Sequence, residues 1–441
     1  MTNLEQLSIV DGPAPYILYT LAAAAFLWLV LGPRRYMLRW VPAVAVVSAL
    51  AGVLFWYLAE DVWNLWGEPL PLRIYVFAAI AVAAVALLVP KMISLRRAWT
   101  RIAAVPVAAV VVLACSGLVN QAFEYYPTVG SLFGNTGVKI KSLAEFRAEQ
   151  QATGAGHGAP PPAATAVTWV PPLNMPAHGD VLNVNIPGTI SHEVSSSAYV
   201  YLPPAYLATP RAANLPVLVL IHGVPGGTID WLRGGQINQF MDGYAAAHHG
   251  LAPIVVMPDA GARWSANPPA CMDSKEGKAG TYLARDVPDW IKATFDVGTR
   301  SPRQWAVGGF SYGGTCAMTL AMNHPEAYPT FIDSSGEDRP TVAAGHAAML
   351  SRYFNNDARA FSKQNALDVM KTRKYPGTAG IITVGSSDRY YRPQGVKVYD
   401  AMRRDGIHVT LQDAPGGHAW PAWRYGVYNN MDWLMQRLGV G

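Results

Sequence analysis

The sequence predicts an N-terminal region of four transmembrane helices followed by an α/β domain, doubly wound around a mostly parallel sheet. Three observations predict it. Four long apolar stretches without a charged residue fill most of residues 12–123. Beyond residue 180, short apolar runs alternate with helical patterns, as strand–helix–strand units require. Among these, Gly308-Gly309-Phe310-Ser311-Tyr312-Gly313-Gly314 joins a strand-like run to a helical one.

The apolar stretches cover 12–32, 41–59, 74–90 and 102–123. Each is long enough to cross a hydrocarbon core about 30 Å thick, the third only just. A cleaved signal peptide is one short segment, so four in succession predict an anchor that stays, over residues 1–123. The first connection carries Arg34, Arg35 and Arg39, and the third carries Lys91, Arg96, Arg97 and Arg101. Glu60, Asp61 and Glu68 occupy the second, and Glu5 and Asp11 the N-terminal tail. Basic connections face the cytoplasm, which places both ends of this region outside. Trp63, Trp66, Tyr125 and Tyr126 fall where an outer interfacial belt belongs. With no ionisable residue expected inside a span, the region reads as a tether without an ion path.

Residues 124–179 read as a connector. Within it, 143–151 suits a short helix, and 152–166 is rich in Gly, Ala and Pro and too poor in apolar surface to order itself. A flexible stretch of about 15 residues spans roughly 20–25 Å, which would keep the next domain near the membrane. That domain, 180–441, is of a size one α/β unit fills. Runs at 181–186 and 198–202 predict an antiparallel opening pair. Those at 217–221, 253–257, 304–307, 330–333, 380–384 and 408–411 predict the remaining strands. Helices are expected between them, notably over 282–295 and 431–438. Residues 339–375 form a long, mainly helical excursion, placed where a cap over a cleft belongs.

Strand, Gly-x-Ser-x-Gly, helix is the setting of a nucleophile elbow, with Ser311 in a strained turn above the sheet edge. A serine hydroxyl is a weak nucleophile at neutral pH and needs a base within hydrogen-bond reach, itself oriented by a carboxylate. Asp388 lies just past the run at 380–384, and His418 just past that at 408–411. Ser, Asp, His is the chain order of the α/β hydrolase template. Rivals fit less well: Asp413 is too near His418, and Asp333 follows the strand directly after the elbow. His324 lies at a helix stop, while His248, His249 and His346 read as solvated helix positions. Two backbone amides complete an oxyanion hole. One is expected from Tyr312, the other from Val224 in His222-Gly223-Val224-Pro225-Gly226-Gly227, because Pro225 carries no N–H.

A net charge of +5, with no basic patch interleaved with aromatics, argues against nucleic acid as a partner. Three cysteines are too few for a disulfide scaffold, and no C-x-x-C or H-E-x-x-H spacing signals a metal; no cofactor is called for. Cys115 lies mid-span. Cys271 follows the 253–257 strand and Cys316 begins the nucleophile helix, so a Cys271–Cys316 disulfide is expected, with two buried thiols as the alternative.

Residues 180–441 resemble the esterase D-like α/β hydrolases, which include S-formylglutathione hydrolases, feruloyl esterases and mycolyltransferases. The resemblance rests on Tyr201-Leu202-Pro203-Pro204-Ala205-Tyr206, His222-Gly223, Gly309 to Gly314, Asp388 and Gly416-Gly417-His418-Ala419-Trp420. Tyr282-Leu283-Ala284-Arg285-Asp286-Val287-Pro288 resembles the helix before the nucleophile strand in that family. Four spans joined to such a domain look like a membrane-anchored bacterial group, some of whose members are associated with hydrolysis of aminoacylated phosphatidylglycerol. Tyr312 departs from the pattern, since many relatives have Met or Leu there.

The resemblance implies a membrane-tethered serine esterase whose catalytic domain faces outward and acts on a membrane-lipid ester, with aminoacyl-phosphatidylglycerol the favoured substrate. Trp231, Asp259, Trp264 and Asp273 are candidate substrate contacts by position. An acyltransferase using the same acyl-enzyme, a serine exopeptidase and a catalytically dead binding module stay open. Ser-Tyr-Gly-Gly also occurs in prolyl oligopeptidases, although the propeller domain of those enzymes is absent here.

Overall fold

The computed structural model describes residues 2–65, 68–152, 169–194, 196–261 and 271–440. Trp66, Trp264 and the Gly/Ala/Pro-rich stretch, all singled out above, lie outside these residues, except for residue 152 at the start of that stretch. The chain divides into two compact units, Met1–Asn135 and Thr136–Gly441.

In the first unit, helices Pro13–Val30, Arg34–Tyr57 and Ala98–Phe123 stand with a pair in series, Leu72–Ala86 and Leu88–Ser94. A π-helical turn, Leu58–Val62, extends the second of them. By length and composition the unit has four helices able to cross a membrane: Pro13–Val30, Arg34–Val62, Leu72–Ser94 and Ala98–Phe123. Leu29, Tyr36, Leu87, Val111 and Cys115 form its core. The helices outrun the apolar stretches, so the expectation of charge-free spans fails. The third continues past residue 90 and carries Lys91, which is buried. Its ammonium donates to the Trp28 and Leu31 carbonyls, each at 2.5 Å, and lies 4.3 Å from the centre of the Trp28 ring. The last carbonyls of a helix have no partner within it, and Lys91 supplies one from a neighbouring helix.

Among the described residues the second unit has eleven strands. The first five are β1 (Ile140–Ser142), β2 (Asp180–Ile186), β3 (Ser196–Leu202), β4 (Val217–Ile221) and β5 (Ile254–Met257). The short ribbon β6 (Asp273–Ser274) and β7 (Gly277–Lys278) stands apart. Then come β8 (Trp305–Phe310), β9 (Thr330–Ser334), β10 (Ala379–Gly385) and β11 (His408–Ala414). The nine-stranded sheet runs β1-β2-β3-β5-β4-β8-β9-β10-β11. Only the β2–β3 and β3–β5 pairs are antiparallel. Strands β4, β5, β8, β9 and β10 are buried along their whole length, which is why β4 and β5 read as unbroken apolar runs, while β9 buries Thr330, Asp333 and Ser334 as well.

The sheet begins earlier than the sequence suggests. Ile140, Lys141 and Ser142 pair in parallel with Val181, Leu182 and Asn183, and the helix Leu143–Ala152 packs beside them. Lys141 bridges Asp180 at 2.9 Å and Glu149 at 2.7 Å. Residues 124–179 therefore contribute a strand and a helix to the second unit. The excursion 339–375 holds three short helices, His346–Phe354, Ala358–Ser362 and Ala366–Val369. It is stitched to the C-terminal end of the helix Tyr312–Asn323: Asn323 donates to the Gln364 carbonyl at 2.7 Å, and the Tyr375 hydroxyl to the Met322 carbonyl at 2.9 Å. Those contacts lie well away from Ser311.

Candidate active site

The parallel strands share one carboxyl edge, and five groups follow it in the chain: His222 after β4, Asp259 after β5, Ser311 after β8, Asp388 after β10 and His418 after β11. Loops at this edge of a doubly wound sheet form the usual ligand crevice.

Glycine makes the turn at Ser311 possible. A Cβ on Gly309 would lie 2.2 Å from the Gly313 carbonyl oxygen, and one on Gly313 would lie 2.2 Å from the Ile221 carbonyl oxygen. The elbow is thus pressed against itself and against the end of β4. Ser311 takes φ 54° and ψ −123°, a conformation that costs a non-glycine residue about 1–3 kcal/mol and persists only where the surroundings enforce it. Its amide donates to the Ser334 carbonyl on the neighbouring strand at 2.8 Å. The helix Tyr312–Asn323 starts at the next residue, so its positive end lies beneath the hydroxyl.

The imidazole of His418 lies with Nε2 2.9 Å from the Ser311 hydroxyl and Nδ1 3.1 Å from Asp388 Oδ2. The other Asp388 oxygen accepts from the Tyr390 and Tyr391 amides at 3.1 and 2.9 Å. Burial alone would raise the Asp388 pKa. The hydrogen bond and charge of His418, together with those two amides, outweigh burial and hold it below the usual carboxylate value. The loops carrying Asp388 and His418 are joined by backbone bonds, from Ser386 to Ala414 at 2.7 Å and from Ser387 to Gly416 at 2.9 Å. Tyr391 stacks on the His418 ring at 4.0 Å, and Trp423 meets its face edge-on at 5.0 Å. Neither aromatic is distinguishable in sequence from ordinary core.

On the other side, Gly223 packs so closely on Phe310 that a Cβ there would lie 2.5 Å from the ring. The Gly227 amide donates to the buried Asp230 at 2.8 Å, which ties down the end of the loop holding Val224. Trp231, expected as a substrate contact, is fully buried, and its indole N–H donates to the Ile221 carbonyl at 3.1 Å. Packed against Phe310 and Trp420, it props the loop from below and offers no face to a ligand.

The two carboxylates fare differently. Asp259 reaches the site's periphery: its Oδ1 accepts from the Gly261 amide at 2.9 Å and lies 3.7 Å from His222 Nε2. Asp273 does not join it. Its oxygens accept from the Thr281 amide at 2.8 Å and the Thr281 hydroxyl at 2.6 Å. It lines a separate cavity of about 800 Å³ shared with Asn323 and His324, at the far end of the nucleophile helix. Cys271 and Cys316 are joined by a disulfide with their Cα atoms 5.3 Å apart, which fastens the loop after β5 to the nucleophile helix.

Among the rivals, Asp413 pairs with Arg392 at 2.9 and 3.0 Å on the surface. Asp333 is buried, accepts from the Gly336 amide at 2.8 Å, and its pKa is pushed up to about 7 by burial. His346 is only half exposed and packs edge-on to Phe361 at 4.8 Å, so it is not the solvated position expected. Among the described residues no group of three or more ligating side chains could hold a metal.

A doubly wound sheet with Ser, His and Asp gathered at its carboxyl edge is the architecture of an α/β hydrolase. Residues 191–429 match the Esterase family model, and the chain belongs to that family of esterase-type hydrolases. It is 30% identical to an uncharacterized protein of Corynebacterium glutamicum over 451 aligned positions, which cover 100% of both chains. An acetyl esterase of Caldicellulosiruptor saccharolyticus is 22% identical over 50% of this chain and 84% of its own. A solved ferulic acid esterase superposes with a TM-score of 0.51 at 19% identity, over 59% of this chain and 99% of that one, and it shares the fold.

Proposed function

We propose that the protein is a membrane-anchored serine esterase in which Ser311 attacks the ester carbonyl, His418 carries the proton and Asp388 orients the imidazole. The observation that carries this reading is the continuous Ser311–His418–Asp388 contact, at 2.9 and 3.1 Å, with Ser311 held in the strained elbow. In the first half-reaction His418 Nε2 takes the Ser311 proton and returns it to the departing alcohol, leaving an acyl-enzyme. Water, activated by the same nitrogen, then releases the acid. The amides of Val224 and Tyr312 donate to the oxygen that gains charge in each step.

The substrate we propose is an ester borne by a membrane lipid on the extracytoplasmic side, with aminoacyl-phosphatidylglycerol the leading candidate. Four membrane-length helices on the same chain support it, because tethering raises the effective concentration of membrane-borne esters and does nothing for soluble ones. Arg34, Arg35 and Arg39 in the first turns of the second long helix, and Arg96, Arg97 and Arg101 at the start of the last, cluster at helix ends where the positive-inside rule expects cytoplasm, which supports the outward orientation.

Fluorophosphonate labelling tests the mechanism: the wild type should label and hydrolyse a simple ester, whereas Ser311→Ala should do neither while keeping its melting temperature. Near-wild-type turnover by Ser311→Ala would sink it. Comparing membrane lipids with and without the enzyme tests the substrate. Unchanged aminoacylated lipid alongside shifted glycolipid or acetate esters would overturn the candidate and leave the tethered esterase standing.

A further inference from the structure

The two amides proposed for the oxyanion hole come from separate loops, and one hydrogen-bonded relay links those loops behind the site. It starts at His222. Its Nδ1 lies 2.7 Å from the Gly223 carbonyl oxygen, and its Nε2 receives the Ala260 amide at 3.3 Å. A carbonyl only accepts and an amide N–H only donates, so the ring carries its hydrogen on Nδ1 and is bare at Nε2. Residue 260 passes the link on, because the Tyr312 hydroxyl donates to the Ala260 carbonyl at 3.1 Å. Cys271 Sγ lies 3.7 Å from the same hydroxyl.

The atom His222 grips decides what the relay does. The Gly223 carbonyl and the Val224 N–H belong to one peptide unit. That unit is planar, and it is trans, so its N–H points opposite to its C=O. Fixing the carbonyl therefore fixes the direction of the Val224 amide, and a bond accepted by the carbonyl polarises the N–H into a stronger donor. The loop carrying Val224 has no regular structure to hold that peptide, and its amide must keep its aim while charge builds. At the other end, Tyr312 contributes its amide to the hole and its hydroxyl to the relay. His222 is itself sealed from solvent, which keeps water from competing for these bonds.

We propose that His222 and the Tyr312 hydroxyl are positioning residues for the oxyanion hole, holding its two donors in register through residue 260. This rests on the serine-esterase reading. It also gives the departure at position 312 a purpose, since Met or Leu there has no hydroxyl to join the relay.

Full-length protein in detergent, assayed on a soluble ester, tests the idea. Removing one oxyanion donor outright costs about 10²–10³ in kcat, so misaiming one should cost less, about tenfold for Tyr312→Phe and up to about a hundredfold for His222→Ala. KM should stay within about twofold, because the ground-state carbonyl makes little use of these donors. The rate of fluorophosphonate labelling should fall in parallel with kcat. His222→Asn retains a donor for the Gly223 carbonyl and should recover part of the loss. Unchanged kcat in Tyr312→Phe, or a raised KM at constant kcat, overturns the proposal. Should His222→Ala fail to fold, Tyr312→Phe and His222→Asn decide it alone. Wild-type labelling that depends on Ser311, together with unaffected variants, would refute the relay and leave the esterase intact.

Discussion

Ser311, Asp388 and His418 are legible in sequence because each lies in a short local pattern, just past an apolar strand, and the sheet does the rest. What is not legible is how a side chain shares its partners. Trp231 and Asp273 lie near site motifs in the chain, yet one is packed under a loop and the other is saturated by Thr281. Asp333 is the sharpest case. Its Oδ2 has no partner among the described residues, and burial lifts its pKa from 3.8 to about 7. The folded form thus keeps a proton that the unfolded chain has already released. Between those two values the folded state binds more protons than the unfolded one, so stability falls as pH rises through the window, by an amount on the order of 4 kcal/mol at most. Asp333→Asn preserves an acceptor for the Gly336 amide and should flatten this dependence, raising the melting temperature at pH 8 relative to the wild type. Denaturation at pH 5 and pH 8 checks it; parallel curves for the two proteins would refute the assignment.

The best-read elements are strands such as β4 and β5, where burial on both faces writes itself as an uninterrupted apolar run. Strand β1 escapes because three residues, none fully buried, carry no such signature, and their partner lies some forty positions downstream. The third apolar helix is misjudged for a related reason: Lys91 looks like the start of a cytoplasmic connection until a neighbouring helix end is there to receive it. The nucleophile elbow is legible down to its glycines, and the structure adds which of them are indispensable. Gly313→Ala would force a methyl to within 2.2 Å of the Ile221 carbonyl oxygen, a backbone atom that cannot yield without displacing β4. A cost of roughly 3 kcal/mol or more is expected, along with loss of labelling at Ser311. Gly227→Ala, where a Cβ meets nothing within 4 Å, should be tolerated. Expression yield, thermal midpoint and fluorophosphonate reactivity of the pair distinguish a steric requirement from mere chain flexibility.

At the scale of the whole chain, the division into an apolar helical half and an α/β half is written in composition alone, and the sequence misplaces only the seam. The Gly/Ala/Pro-rich stretch invites reading as the link between halves. Yet β1 and the helix Leu143–Ala152 come before it and already belong to the second unit, as β2 does after it. The described residues on either side of it thus belong to the same unit, and the chain passes from one unit to the other at Asn135–Thr136. That sorts insertions into two kinds. Ten Gly/Ser residues added near position 160 lengthen the chain within one unit, costing well under about 1 kcal/mol, and leave the connection between the units unchanged. The same ten added between Asn135 and Thr136 lengthen the connection between the units itself. Hydrolysis of a soluble ester should ignore both, whereas turnover of an ester held in the bilayer should respond to the second alone.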